Sequence, residues 1–282
     1  MKFSHSSLSC YRRCRYKYYL KYMQNYIEPT SPGQIMGSIG HAGLAEWYRS
    51  GNQEKSLQSA FDKMLEIKPL EDEGGYDQDL WDKAEHILKR YFRWSVGNDD
   101  FQIITYDGKP AMELKVEVEI GNYIIQSIID GFVYWNDAVW LFEHKFMAQV
   151  RTGSLDLDPQ ISLYLLVARK LGYEPRGVLY NVVRTSIGGV AENNPVVRMP
   201  TFRNNEGLEI LSQELKIQSE EMTRFLDGKV PVYRNTTGNC NWDCGFFKVC
   251  LAINDNGDAQ SVLDLYDKVE IKEEVLNDEA IE

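Results

Sequence analysis

No run of apolar residues in this 282-residue chain approaches the roughly 20 that a membrane-spanning helix needs. The opening MKFSHSSLSCYRRC lacks the apolar core of a secretion signal, so a cytoplasmic protein with no membrane partner is expected. A glycine-rich nucleotide loop ending in Gly-Lys-Ser or Gly-Lys-Thr is also missing, which excludes a helicase motor. Cysteines are few and odd in number, at five, which argues against a disulfide framework. Positive charge is in deficit: the formal net charge is −11, which by itself disfavours a phosphate-binding partner. That deficit is uneven, because residues 254–282 carry −8 and the remaining body only −3.

What the chain does have is 43% hydrophobic residues, enough for one large domain or two modest ones. HSSLSCYRRCRYKYYLKYMQ, residues 5–24, reads as one basic, aromatic-rich helix. Arg12, Arg13, Arg15, Lys17 and Lys21 lie among Tyr11, Tyr16, Tyr18, Tyr19 and Tyr22 there. Such a stripe can track and stack a single strand, or can pack its tyrosines inward and solvate its charges. Further helices are expected over MGSIGHAGLAEWYRSG, over 54–66 and over 77–96, the last two separated by the acidic loop LEDEGGYD.

From residue 101 the period changes to two. FQIITYD, AMELKVEVEI, YIIQSIIDGFVYW and AVWLFEHKF read as successive strands, and ELKVEVEI alternates as if one face were solvated. A helix over about 158–171, strands in RGVLYNVVRT and PVVRMPTF, and a long amphipathic helix closed by Gly228 follow. The layout predicts an α/β fold: a helical N-terminal lobe over about 1–98, a sheet core over about 99–230, a cysteine segment at 238–250, and an acidic flexible tail at 254–282 able to contact a protein partner.

The hairpin SIIDGFVYWNDAVWLFEHKF places three charges in an apolar pattern: Asp130, Glu143 and Lys145. Glu143 and Lys145, two apart on a strand, point to one face, and pairing across the turn can bring Asp130 close. Carboxylates so placed repel unless a cation lies between them, and their oxygens suit Mg²⁺ or Mn²⁺. A lysine one pleat away can orient or deprotonate a water, or stabilise charge on a phosphate. A surface salt bridge is the alternative for the hairpin taken alone. Gln160 and Tyr164 are i,i+4 neighbours on one helix face.

An Asp at a strand end followed by a strand bearing Glu-x-Lys resembles the PD-(D/E)XK nuclease signature. MGSIGHAGLAEWY resembles the histidine helix of the RecB-type branch, with His41 in the Gly-x-x-x-His position, and DPQISLYLLVA resembles its Gln-x-x-x-Tyr motif. CNWDCGFFKVC, with the distant SLSCYRRCRYKYYLKY, is similar to the four-cysteine iron–sulfur staple of AddB-type and CRISPR-associated adaptation nucleases. It departs from that pattern in two places: three residues rather than two separate Cys240 from Cys244, and Arg15 replaces the usual proline after Cys14.

The resemblance implies a restriction-endonuclease-like central mixed sheet flanked by helices over residues 1–253. It implies a metal held by His41, Asp130, Glu143 and a backbone carbonyl near His144, with Lys145 assisting the nucleophile and Gln160 and Tyr164 positioning the DNA or the catalytic groups. It also implies a [4Fe–4S] cluster on Cys14, Cys240, Cys244 and Cys250, with zinc as the rival occupant and Cys10 as a substitute ligand. The expected activity is cleavage of DNA, as an exonuclease on single strands or ends. The alternative is a nucleic-acid-binding or scaffold protein with a structural zinc or iron–sulfur site that does not cut.

Overall fold

The computed structural model describes residues 1–51, 54–66 and 78–269. The expected loop LEDEGGYD and the part of the expected tail beyond 269 lie outside the described residues. In chain order the elements are β1 (Lys2–Ser4), α1 (His5–Arg13), α2 (Arg15–Tyr18), α3 (Pro32–Arg49), α4 (Glu54–Leu65), α5 (Gln78–Asn98), β2 (Gln102–Ile103), β3 (Thr105–Tyr106) and β4 (Lys109–Pro110). There follow β5 (Met112–Ile120), β6 (Tyr123–Trp135), β7 (Ala138–Met147), α6 (Pro159–Lys170), β8 (Val178–Arg184), α7 (Val190–Asn193), β9 (Val196–Thr201) and α8 (Asn205–Leu226). Short helices α9 (Cys240–Asp243), α10 (Phe247–Asn254) and α11 (Ala259–Leu263) end the series. No described helix is long and apolar enough to cross a membrane.

Two compact units emerge among the described residues: residues 1–5 with those of 31–221, and residues 6–30 with 222–269. The first holds a seven-stranded sheet in the order β1-β6-β7-β8-β9, with β2 and β5 also paired to β6. It is mixed, since β1–β6 and β7–β8 run parallel while β5–β6, β6–β7 and β8–β9 run antiparallel. Sheet side chains such as Phe142, Leu179 and Val183 share a core with Leu44, Trp47, Leu88 and Phe92 of α3 and α5. This is the restriction-endonuclease-like α/β arrangement, a central mixed sheet flanked by helices.

The β6–β7 hairpin turns at Asn136 and Asp137, both left-handed (φ 47° and 57°), as a two-residue type I′ turn requires. β6 is long enough to change partners along one edge: β1 covers 124–126 and β7 covers 131–135. Asp130 stands where β7 parts from β6.

In the second unit the expected single helix over 5–24 is broken. Cys14 is extended (φ −160°, ψ 117°) and its Sγ accepts the Lys17 N–H, so the thiol caps a new helix, and Tyr19–Met23 then forms a π-helical turn. Tyr11 and Tyr18 are buried edge-on against each other and against Phe225. Tyr16 and Tyr19 pack on a core of Leu20, Tyr26, Phe246, Val249 and Leu263. Inward packing therefore accounts for these four tyrosines, and Tyr22 is the most exposed of the five.

The acidic segment does not become a tail at 254. Asp258 caps α11, Leu263 enters the core, the Tyr266 hydroxyl donates to the Gly245 carbonyl at 2.6 Å, and Tyr26 bridges Lys268. An apolar anchor every few residues overrides the net charge that made this stretch read as unstructured.

Candidate active site

α3 begins with Ser31 and Gln34 in a reciprocal capping box and Pro32 in the first turn, a strongly fixed start. It lies hard against β7 at Gly40, where an added Cβ would meet the Phe146 ring at 2.1 Å. This close approach brings the next residue, His41, over the sheet. Its Nδ1 lies 3.3 Å from Asp130 Oδ1 and 3.3 Å from Glu113 Oε1. Glu113, whose backbone is left-handed (φ 48°), reaches the same point from β5, where the register with β6 sets it opposite Asp130. The three ligand atoms lie within 4.8 Å of one another, one imidazole nitrogen and two carboxylate oxygens, a set that can hold a divalent ion.

The other oxygen of Asp130, Oδ2, accepts the backbone N–H of His144 at 2.7 Å. The side chain thus bridges the gap where β7 parts from β6. Along β7, Glu143 and Lys145 share a face, and the ammonium donates to Glu143 Oε1 at 2.6 Å and to Gln160 Oε1 at 2.9 Å. Gln160 in turn donates to the Tyr164 hydroxyl at 2.8 Å. Pro159 and the Asp158 carboxylate, which accepts the N–H groups of Gln160 and Ile161, start α6 at the point that makes this relay possible.

Burial and mutual proximity shift His41, Asp130, Glu143 and Lys145 from their ordinary values. Asp130 and Glu143 are both buried. Burial and the neighbouring Asp130 push Glu143 up to about 8, against the opposing pull of Lys145. Burial works against an imidazolium at His41, but Asp130 and then Glu113 outweigh it and push His41 up to about 10. Asp130 is held below the usual carboxylate range because His41, assisted by the His144 N–H, outweighs its burial. Lys145 is held above its ordinary value: burial opposes its charge, and Glu143 overcomes that. Without a metal, the His41 imidazolium is the cation between Asp130 and Glu113.

Of the expected metal ligands, His41 and Asp130 meet, while Glu143 accepts from Lys145. His144 was expected to offer a backbone carbonyl; its ring has Nδ1 against Asn181 Nδ2 at 2.9 Å, and burial pushes it down to about 3. Glu113 was not anticipated. The alternation in ELKVEVEI assigns it to the same solvated face as Lys115, Glu117 and Glu119, and nothing local to the sequence marks its left-handed backbone.

Four of the five cysteines, Cys14, Cys240, Cys244 and Cys250, line one cavity of about 180 Å³ within the second unit, together with Arg13, Lys17 and Arg234. Their sulfurs accept hydrogen bonds: Cys14 from the Lys17 and Asn235 N–H groups at 3.5 and 3.4 Å, and Cys240 from the Thr237 N–H at 3.3 Å. Cys10 is not among the lining residues, and burial pushes its thiol up to about 11.

An acid cluster beside a Glu-x-Lys strand on this sheet is the pattern expected of a nuclease. The chain belongs to the PD-(D/E)XK nuclease superfamily, whose model matches residues 2–251. No curated protein matches it. Among solved structures it is similar to a "Putative exonuclease" from Eubacterium rectale, with a TM-score of 0.53 and 13% identity over 85% of this chain and 87% of that one. It also matches the protein SSO0001, with a TM-score of 0.33 and 12% identity over 77% of this chain and 84% of that one.

Proposed function

We propose that this nuclease is a divalent-metal-dependent deoxyribonuclease acting as an exonuclease on single strands or DNA ends. The observation that carries the reading is the meeting of His41, Glu113 and Asp130 beside the Glu143–Lys145 pair. The donor set fits a metal: hard carboxylate oxygens suit Mg²⁺, and the imidazole favours Mn²⁺ over it. His41, Glu113 and Asp130 would hold the ion, with Glu143 the next carboxylate in reach; bound there, the ion would neutralise the scissile phosphate and lower the pKa of a water.

The chain's own residues supply the rest. Lys145, whose ammonium donates to Glu143 and Gln160, is a charge stabiliser for the phosphate oxygens rather than a base. Gln160 accepts one of its N–H bonds and is itself steered by Tyr164, so the ammonium is aimed before substrate arrives. Glu143, hydrogen-bonded to that ammonium and beside the acid group, is the carboxylate placed to accept a proton from the attacking water.

Cys14, Cys240, Cys244 and Cys250, gathered around one cavity, would hold the [4Fe–4S] cluster that the resemblance implies. Four thiolates around one cavity could equally hold a tetrahedral zinc, which is the rival occupant. Backbone N–H donors to the sulfurs favour thiolates.

The exonuclease reading rests on the resemblance and on the name of the Eubacterium rectale structure. Linear and covalently closed circular single strands, offered with Mn²⁺, test it: the linear strand is degraded to short products and the circle survives. Rapid linearisation of the circle would make the protein an endonuclease.

A further inference from the structure

Behind the acid group lies a buried polar layer that the proposed reaction does not use. Arg198 on β9 donates from Nε to Asn181 Oδ1 at 2.7 Å, which fixes the amide so that Nδ2 faces His144 Nδ1 at 2.9 Å and donates to it. The ring proton is therefore on Nε2. The same guanidinium pairs with Asp99 Oδ1 at 2.7 Å and donates to the hydroxyls of Tyr91 at 3.1 Å and Tyr48 at 3.3 Å. Those two hydroxyls are 2.6 Å apart, and Tyr48 donates to Asp99 Oδ2 at 3.0 Å. Trp94, Phe101 and Phe142 surround the guanidinium with their rings.

Two geometrical facts tie this layer to the metal group. The His144 ring is stacked under Tyr48, with centroids 6.0 Å apart and planes 7° apart, and it meets the His41 ring edge-on at 6.2 Å and 72°. Tyr48 and His41 both belong to α3, two turns apart. One imidazole is thus the spacer against which the histidine helix rests, while the backbone N–H of that same residue holds Asp130. Apolar side chains of similar volume would stabilise such a layer at least as well, so its polarity is better explained by the orientation it imposes.

We propose that Asn181 and Arg198 are positioning residues for the metal group. By locking the His144 ring and the Tyr48 hydroxyl, they set where His41 stands relative to Asp130. This deepens the nuclease reading and rests on it.

Asn181→Asp keeps an oxygen for Arg198 and replaces the donor facing His144 with an acceptor. Calorimetric titration with Mn²⁺, on protein shown by thermal melting to be folded, should give an affinity on the order of 10- to 100-fold weaker than wild type. The kcat on DNA should fall with it while KM stays unchanged, because the substrate does not touch this layer. A folded Asn181→Asp protein with wild-type Mn²⁺ affinity overturns the proposal and leaves the nuclease reading in place. A wild-type protein that binds no Mn²⁺ overturns both. Should Asn181→Asp fail to fold, Tyr48→Phe, which removes one hydroxyl, is held to the same criterion.

Discussion

Two buried carboxylates as close as Asp130 and Glu143 cannot both be ionised at little cost without a cation, and the metal-free chain answers with protons. Glu143 keeps its proton up to about 8 and His41 up to about 10, both above their values in an unfolded chain, near 4.3 and 6.5. His144, pushed down to about 3 by burial, opposes this at lower pH, so it is from about pH 6 to 9 that the folded state binds more protons than the unfolded one and the stability of the metal-free protein falls as pH rises. The depressed Asp130 titrates below that window and does not reverse the trend. Metal binding must displace these protons. Melting in EDTA and in Mn²⁺ at about pH 6 and about pH 8.5 checks this: Tm in EDTA falls with pH, and the gain from Mn²⁺ grows. Asp130, Glu143 and Lys145 were legible in the sequence because each breaks an apolar pattern at a position a half-buried strand would not leave charged. Glu113 was not, since the alternation of ELKVEVEI reads it as one more solvated glutamate and only the pairing with β6 sets it opposite Asp130. Asn181 and Arg198 were hidden inside strands whose apolar neighbours dominate the pattern.

At the scale of the elements, the site depends on how closely α3 lies on β7. Gly40→Val forces the helix off Phe146, which should cost about 1–3 kcal/mol of stability. It should also weaken Mn²⁺ binding, because His41 moves with the helix; denaturant unfolding and calorimetry measure the two effects separately. Periodicity located the hairpin, α6 and α8 well, because their apolar faces repeat cleanly. It failed at Cys14, where a thiol accepting a backbone N–H ends one helix and starts another. It also failed at α11, whose single buried leucine is outweighed in the sequence by surrounding acids. Leu263→Ala should therefore destabilise the second unit by about 2–5 kcal/mol, which a shifted denaturant midpoint would show. An unchanged midpoint would return residues 259–269 to the status of a tail.

Across the whole molecule, each unit is assembled from segments far apart in the chain, and sequence order alone does not announce this. The cysteines gave the one hint, since Cys14 and the triplet 240–250 are more than 220 residues apart yet share a cavity. Protein purified without oxygen should be brown, and should contain iron and acid-labile sulfide that Cys240→Ser removes together with part of the thermal stability, because cluster binding is coupled to folding. Colourless protein with one zinc per chain would assign the cavity to zinc.

The central claim is that the His41–Glu113–Asp130 group and the Glu143–Lys145 pair form one hydrolytic site. End-labelled single-stranded DNA, incubated with wild-type protein in Mn²⁺ and in EDTA beside Asp130→Asn and Lys145→Ala, tests it most directly. The expected result is cleavage by the wild type in Mn²⁺ alone, with each folded variant slower by about a hundredfold or more. Cleavage that persists in EDTA, or proceeds at the wild-type rate in both variants, would contradict it.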